Sequence, residues 1–191
     1  NTLLGYFSQK ESFHVYGTTR KFTDTKSHSL ITGIDAEIEE HLLRAFEVAS
    51  PEIVVNCIGV VKQLDVASDA LVSIPLNSLL PHRLARLCEA FGSRLIHIST
   101  DCVFSGKKGG YVENDVPDET DLYGRTKLLG EVDYPNAITL RTSLIGHDTQ
   151  RKRSLISWFL AKETRVQGFT NAIFSGLPTV EIARVIEEYV L

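Results

Sequence analysis

Apolar residues in this chain follow two alternating patterns. Short β-rich runs occur at His14-Val15-Tyr16, Ile53-Val54-Val55-Asn56-Cys57-Ile58, Leu95-Ile96-His97-Ile98 and Ala137-Ile138-Thr139-Leu140. All but the first read as near-continuously buried strands. Helical patterns lie between them. Glu37 to Ala49 places Ile38, Leu42, Leu43 and Phe46 on one stripe, and Leu79 to Phe91 does the same with Leu80, Leu84, Leu87 and Phe91 after a helix-starting Pro81. Strands alternating with helices predict a parallel sheet covered on both faces, with ligands beyond the carboxyl ends of the strands. Thr18, Gly59, Thr100 and Ser143 fall at such ends.

Both ends of the chain depart from that scheme. Asn1 to Phe7 reads as a helix, whereas a doubly wound domain opens with a strand and a glycine-rich turn that seats a pyrophosphate. The far end is an amphipathic helix over Thr179 to Leu191, carrying Ile182, Val185, Ile186 and Tyr189. The expectation is an α/β, Rossmann-like doubly wound parallel sheet lacking its first strand and Gly-rich turn. Residues 1–145 form the NAD(P)-binding domain in this reading, and residues 146–191 a partial substrate-binding lobe with a returning helix, the whole belonging to a longer protein.

Composition narrows the class. With 191 residues and a net charge of −4, a sizeable core is expected and no nucleic-acid partner is indicated. The short Arg151-Lys152-Arg153 reads as a solvated loop. No apolar segment is long enough to span a bilayer and no charged-then-apolar signal opens the chain, so a cytoplasmic protein without a membrane partner is expected. Cys57, Cys88 and Cys102 are far apart and lack metal-ligand spacing. Cys57 and Cys88 are expected to be buried thiols, and no metal site is expected.

Candidate chemistry lies at Ser99-Thr100-Asp101, which ends the third run, and at Tyr123-Gly124-Arg125-Thr126-Lys127. On a helix, residues four apart share a face, so the Tyr123 phenol and the Lys127 ammonium can enter one pocket. A free tyrosine titrates near pH ~10, whereas a proton donor works best near the working pH. A cation ~4 Å away at an effective dielectric of ~20 contributes ~4 kcal/mol, or roughly three pK units before its own desolvation. The Thr100 hydroxyl could then hold a substrate oxygen. An exposed helix carries Tyr/Lys pairs of this spacing routinely; the order of hydroxyl pair, turn-rich stretch and Tyr/Lys helix is what favours catalysis.

One loop bears on the cofactor. Gly17-Thr18-Thr19-Arg20 follows the first run, with no acidic residue where NAD-specific folds place one for the ribose hydroxyls. The planar fork of Arg20 suits a 2′-phosphate and Thr19 adds a donor, which favours NADP over NAD. A surface arginine in a loop is the alternative. Asp35, after Ile34, can serve as the N-cap of the Glu37 helix.

Ser99-Thr100-Asp101-Cys102-Val103-Phe104-Ser105-Gly106 followed by Tyr123-Gly124-Arg125-Thr126-Lys127 resembles the extended short-chain dehydrogenase/reductases, closest to the dTDP-4-dehydrorhamnose reductase family. Asn56-Cys57-Ile58-Gly59, Asn77, Arg141-Thr142-Ser143 and Gly168-Phe169-Thr170-Asn171 fall in the family's order. The resemblance implies reduction of a 4-keto group on a nucleotide-linked deoxysugar with hydride from NADPH. Tyr123 donates the proton, Lys127 lowers the tyrosine's pKa and binds the nicotinamide ribose, and Thr100 orients the ketone. It further implies cofactor contacts at Thr19, Arg20, Asp35, Ile58, Gly59, Val60, Ser99, Lys127 and Ser143, and substrate contacts at Asp101, Cys102, Val103, Phe104 and Asn171. Dehydratases of the superfamily carry Asp-Glu where this chain has Asp101-Cys102, and a thiol is a poor substitute for that carboxylate. Reduction or epimerisation remains, and so does a non-catalytic NADP-binding regulatory subunit, because some relatives keep the fold and the Tyr/Lys pair.

Several positions have two readings. Gly59 lets backbone approach the cofactor or merely ends its strand. Asn77 positions a water or caps a helix. Asp101 faces substrate or caps the following turn. Phe104 and Trp158 line a sugar pocket or, more commonly, pack in a core. His97 reads as a satisfied buried imidazole. A homodimer is possible.

Overall fold

The structure, a computed structural model, describes residues 2–22, 29–62, 64–146 and 154–191. The Arg151-Lys152-Arg153 run lies outside the described residues. The chain divides into two compact units, one of residues 16–141 and one of residues 1–15 with 142–191.

The unit of residues 16–141 is a parallel α/β assembly. Its first strand, β1, is Gly17–Thr19 and pairs in parallel with β2, Leu30–Thr32. The strand expected at His14-Val15-Tyr16 lies three residues further along the chain, with none of the expected residues in it. What fixes it is the partner: Gly17, Thr18 and Thr19 stand in register with Leu30, Ile31 and Thr32, a run whose short length hid it from periodicity. The second sheet contains β3 (Ile53–Asn56), β4 (Arg94–Ile98) and β5 (Ala137–Leu140), all parallel in the order β3-β4-β5. Only the central β4 is near-continuously buried; β3 and β5 are the sheet's edges and are half-exposed along much of their length.

Helix α2 (Glu39–Ala49) buries Leu42, Ala45 and Phe46 and ends on Ser50 in the left-handed conformation. It starts two residues later than the sequence pattern suggested. Its N-cap is Ile38, and the Asp35 carboxylate instead accepts from the Glu37 N–H at 3.1 Å, ahead of the helix. Ile38 and Phe91 sit at helix ends and are 41% exposed, so neither completes its stripe.

The helix expected from Leu79 is longer and older in the chain. Asp69 caps α3 (Ala70–Ser73), which runs through a wider π segment, Ile74–Leu79, into α4 (Leu80–Phe91). Pro81 is therefore interior. It has no N–H to offer the carbonyl four residues back, and the wide turn accommodates this by bonding the Leu80 N–H to the Pro75 carbonyl. Gly92 at φ +70° closes α4. The core gathers Ile34, Leu42, Phe46, Leu80, Leu84 and Leu95. Cys88 belongs to it, fully buried as expected, and burial pushes its thiol up to about 12. Cys57, by contrast, is exposed because it lies one residue past the end of β3; its thiol is still desolvated enough to be raised.

A short 3₁₀ turn, Asp101–Val103, follows β4, and α5 (Leu122–Leu129) follows that. The unit of residues 1–15 and 142–191 holds α1 (Thr2–Phe7), the parallel pair β6 (Leu144–Ile145) and β7 (Leu177–Pro178), α6 (Leu155–Leu160) and α7 (Thr179–Val185), which continues in a π turn over Ile186–Val190. Ile182 and Ile186 are buried as the stripe predicted. Tyr189, 80% exposed, leaves it because the wide turn rotates the last residues. Glu187 ties this helix to α1, accepting from the Tyr6 hydroxyl at 2.7 Å and from Lys10 at 2.6 Å. Trp158 is exposed rather than packed in a core, with the Lys162 ammonium over its ring. Among the described residues no helix is long and apolar enough to cross a membrane.

Candidate active site

The carboxyl ends of β3 and β4 and the N-terminal half of α5 converge on one place. Asp121 starts α5 by accepting the Gly124 N–H at 2.7 Å, and Gly124 lets the helix lie against the preceding turn: a Cβ there would stand 2.5 Å from the Cys102 carbonyl oxygen. The middle residue of the Tyr-Gly-Arg motif is thus a packing requirement. The helix then places Tyr123 half-buried and Lys127 buried, one turn apart on one face.

Thr100 ends β4 in extended geometry and its hydroxyl caps the 3₁₀ turn, accepting from the Cys102 N–H at 3.1 Å. The cap is therefore Thr100; Asp101 is the first residue inside the turn, its carboxylate accepting weakly from the Thr100 hydroxyl at 3.4 Å and facing the Cys102 thiol at 3.6 Å. The Thr100 hydroxyl also acts on the Tyr123 phenol, lowering it. Two of the three expected catalytic groups, a hydroxyl and a phenol, are thereby neighbours.

Against the expectation that Lys127 lowers it, the Tyr123 phenol is raised above its ordinary value by burial; the Thr100 hydroxyl opposes this, Cys102 and Asp101 add to it, and the cation that lowers it is Lys62. Lys62 was not singled out in the sequence. It follows Gly59-Val60-Val61, and its ammonium pairs with the Asp121 carboxylate at 2.6 Å. Burial raises Asp121, but the Lys62 ammonium and the Gly124 and Tyr123 N–H groups outweigh it, and the carboxyl lies below its usual range. A lysine just past a strand end was the only available signal.

Lys127 is 5% exposed and is directed the other way, toward the sheet. Its Nζ donates to the Ile98 carbonyl at 2.9 Å and lies 3.5 Å from His97 Nε2. Burial lowers it to about 8, against the opposing influence of Glu131 and Cys57. His97 is fully buried, as expected, and burial together with Lys127 and His82 depresses it to about 3.

Around this pair the strand ends are fixed by side chains. Asn77, fully buried in the π segment, accepts from the Val60 N–H at 2.8 Å, donates to the Val60 carbonyl at 3.1 Å and donates to Thr126 at 3.3 Å. It is a strut between the loop after β3 and α5, and not a helix cap. Ser99 donates to Glu131 at 2.8 Å, and Glu131 holds Arg141 by two ring-like contacts of 2.7 and 2.9 Å. Phe104 stacks on Tyr111 with centroids 4.4 Å apart, the Arg141 guanidinium 5.2 Å from its ring.

Ile58 and Gly59 are exposed, while Val60 is buried. A Cβ on Gly59 would stand 3.1 Å from Asn77 Oδ1 and 3.9 Å from Lys127 Nζ, so the glycine keeps open a cradle with the lysine at its floor. Lys127 and the Gly59 backbone are the groups there that could hold the ribose end of a dinucleotide. Arg20, the 2′-phosphate candidate after Thr19, is 65% exposed and its Nη2 contacts both Asp35 at 2.8 Å and Glu37 at 3.3 Å. Ser143 and Asn171 lie in the other compact unit. Among the described residues no group of three or more acidic, histidine or cysteine side chains is arranged to hold a metal.

A parallel α/β unit with Thr100, Tyr123 and Lys127 near its strand ends defines a Rossmann-like α/β protein. The chain belongs to the RmlD substrate-binding-domain family, whose model matches residues 3–175. Among curated relatives, methionine adenosyltransferase 2 subunit beta of Rattus norvegicus is 32% identical over 123 residues, which is 64% of this chain and 36% of the relative. The dTDP-4-dehydrorhamnose reductase of Mycolicibacterium smegmatis is 36% identical over 135 residues, 63% of this chain and 39% of the relative. The matches thus span little more than a third of those proteins. Among solved structures, a hypothetical dTDP-4-dehydrorhamnose reductase from Sulfolobus tokodaii superposes with a TM-score of 0.79 at 22% identity, over 100% of this chain and 69% of that one. The Bacillus anthracis dTDP-4-dehydrorhamnose reductase in complex with NADP gives 0.56 at 23% identity, over 62% and 46% of the two chains.

Proposed function

We propose that the protein is a nicotinamide-dependent carbonyl reductase of sugar nucleotides, reducing the 4-keto group of a nucleotide-linked deoxysugar. The observation that carries this reading is the placement of Thr100 at the end of β4 beside the helix that bears Tyr123, with Lys127 buried one turn further along that helix near the open backbone of Gly59. A bound nicotinamide dinucleotide would supply the hydride. Thr100 orients the ketone oxygen, Tyr123 delivers a proton to it as the carbonyl carbon is reduced, and Lys127 holds the ribose hydroxyls. A phenol raised by burial stays protonated at neutral pH and so holds the proton to be delivered, although the elevation makes it a weaker acid than one tuned to the working pH. Asp101-Cys102 offers no second carboxylate acid, so water elimination is not part of the proposal.

NADP is the favoured dinucleotide, with Arg20 turning from its two carboxylates to the 2′-phosphate; the acidic pair Asp35 and Glu37 makes that preference modest. A nucleotide-sugar substrate, a cytoplasmic location and residues 1–145 as the cofactor domain belong to the same proposal. The test is loss of NADPH absorbance when the full-length protein meets a panel of 4-keto-6-deoxy sugar nucleotides. Turnover supports the reading. Tight NADPH binding with no turnover across the panel supports the second one, a non-catalytic dinucleotide-binding subunit, which the resemblance to a protein named as a beta subunit favours.

A further inference from the structure

Backbone N–H groups can only donate, and one of them fixes the direction of a buried chain of hydrogen bonds. The Ile58 N–H points at the Asn56 side chain at 3.0 Å, so the atom it meets is the amide oxygen, Oδ1. The amide nitrogen, Nδ2, then faces His97 Nδ1 at 3.1 Å. An amide nitrogen has no lone pair to offer, so His97 Nδ1 must accept. A neutral imidazole that accepts at Nδ1 carries its proton on Nε2. That Nε2–H faces Lys127 Nζ at 3.5 Å. An ammonium cannot accept a hydrogen bond, but a neutral amine can. The amine keeps two hydrogens, and one of them reaches the Ile98 carbonyl at 2.9 Å.

We infer that the Asn56–His97 pair is a positioning device that holds Lys127 as an acceptor, so that in the ligand-free protein the lysine rests as a neutral amine and takes up a proton only when an anionic or hydroxyl-rich ligand reaches it. All three residues are buried, at 2%, 0% and 5% exposure, so water does not loosen the assignment. Asn56 and His97 are opposite each other in the β3–β4 register, which fixes their approach through the sheet itself. The groups facing Lys127 from each packed element are His97 of β4, Cys57 beyond β3 and Glu131 beyond its own helix, whose carboxylate is already engaged by Arg141 and Ser99. His97 in turn faces His82 of α4. Burial already lowers Lys127 to about 8, and the donated Nε2–H disfavours the ammonium further. The inference goes beyond the proposed reaction and holds whatever the site reduces.

Ligand-free protein labelled with ¹⁵N-histidine and ¹³Cε-lysine decides the matter by NMR, with His97→Gln and Lys127→Met assigning the signals. At about pH 7.5 His97 is expected as the Nε2–H tautomer, and Lys127 is expected to titrate below about pH 7, more than three units below an exposed lysine. In Asn56→Asp, a carboxylate that accepts at Nδ1–H should reverse the ring to the other tautomer and raise the Lys127 midpoint by more than about one unit. An Nδ1–H tautomer in the wild-type protein, or a Lys127 midpoint at or above about 7.5, would overturn the inference. Should Asn56→Asp not fold, the wild-type tautomer alone decides. Neither measurement uses a cofactor or a substrate, so failure of the reductase reading leaves both unchanged.

Discussion

Lys62 and Asp121 form a 2.6 Å ion pair in which the carboxylate also caps the helix bearing Tyr123 and Lys127. A cation from the loop after β3 is thereby fixed at the start of α5, close enough to lower both the Tyr123 phenol and the Cys102 thiol.

Replacing it should be felt at the phenol more than in the fold. In Lys62→Met, ultraviolet titration should show Tyr123 ionising at higher pH than in the wild type, and Asp121 should move back toward the ordinary carboxylate range. The pair is half-exposed, so unfolding in urea should change by less than about 1 kcal/mol. An unchanged phenol midpoint would remove Lys62 from the electrostatics of the site.

Tyr123→Phe keeps the ring and its packing and removes the transferable proton. Turnover of a 4-keto sugar nucleotide should fall by about 10² to 10⁴, with dinucleotide affinity preserved. Stopped-flow reduction rates and fluorescence titration with NADPH measure the two separately. A near-wild-type rate would take Tyr123 out of the proton path.

Arg20→Ala should weaken NADPH more than NADH. It also frees Asp35, whose carboxyl Arg20 holds below its usual range, and Glu37, two negative charges that would repel a 2′-phosphate. Calorimetry with both dinucleotides checks the ratio. Equal losses would assign Arg20 to Asp35 and Glu37 alone.

His97 makes the protein sensitive to acid. Its folded value is about 3, against about 6.5 in an unfolded chain, so below pH ~6.5 the unfolded state binds a proton that the native state refuses. Stability attributable to this residue is intact above that pH and declines as pH falls toward 3, by about 3 kcal/mol at pH ~4. Urea unfolding between about pH 7 and 4 should show a smaller loss in His97→Gln than in the wild type. Parallel curves for the two proteins would mean the imidazole is protonated in the native state.

Lys127 gives the opposite limb. Its folded value of about 8 lies below the ordinary 10.5, so the burial cost is fully present below pH ~8 and is relieved as pH rises through that interval. Lys127→Met should therefore hold a stability advantage over the wild type near pH ~7 that shrinks toward pH ~10.5.

The sequence disclosed the parts whose signal is local. Ala137–Leu140 is the strand its β-rich run predicted, Leu80 and Leu84 are buried where the helical stripe put them, and Tyr123 and Lys127 share one helix as their spacing implied. What stayed hidden depends on partners distant in the chain. The first strand is Gly17–Thr19 because Leu30–Thr32 lies beside it, and two three-residue strands carry no period to read. Trp158 and Tyr189 are exposed although their residue types and spacing favour burial, since a side chain's neighbours decide that. Asn77 was open between water and cap because nothing in its flanks says that Val60 and Thr126 stand beside it. Lys62 was overlooked because an isolated lysine is ordinarily a solvated one.

Pro81 withholds a hydrogen from the Asn77 carbonyl, and it is against that carbonyl that Gly130, at the end of α5, comes to rest: a Cβ at position 130 would collide with the oxygen. The two helices therefore touch main chain to main chain, with no side chain between them to act as a cushion. The lysine's depth below the strand ends is consequently set by the polypeptide itself, like the stop on a drawer, and a single methyl group at that joint would reset it without altering one residue that meets a ligand.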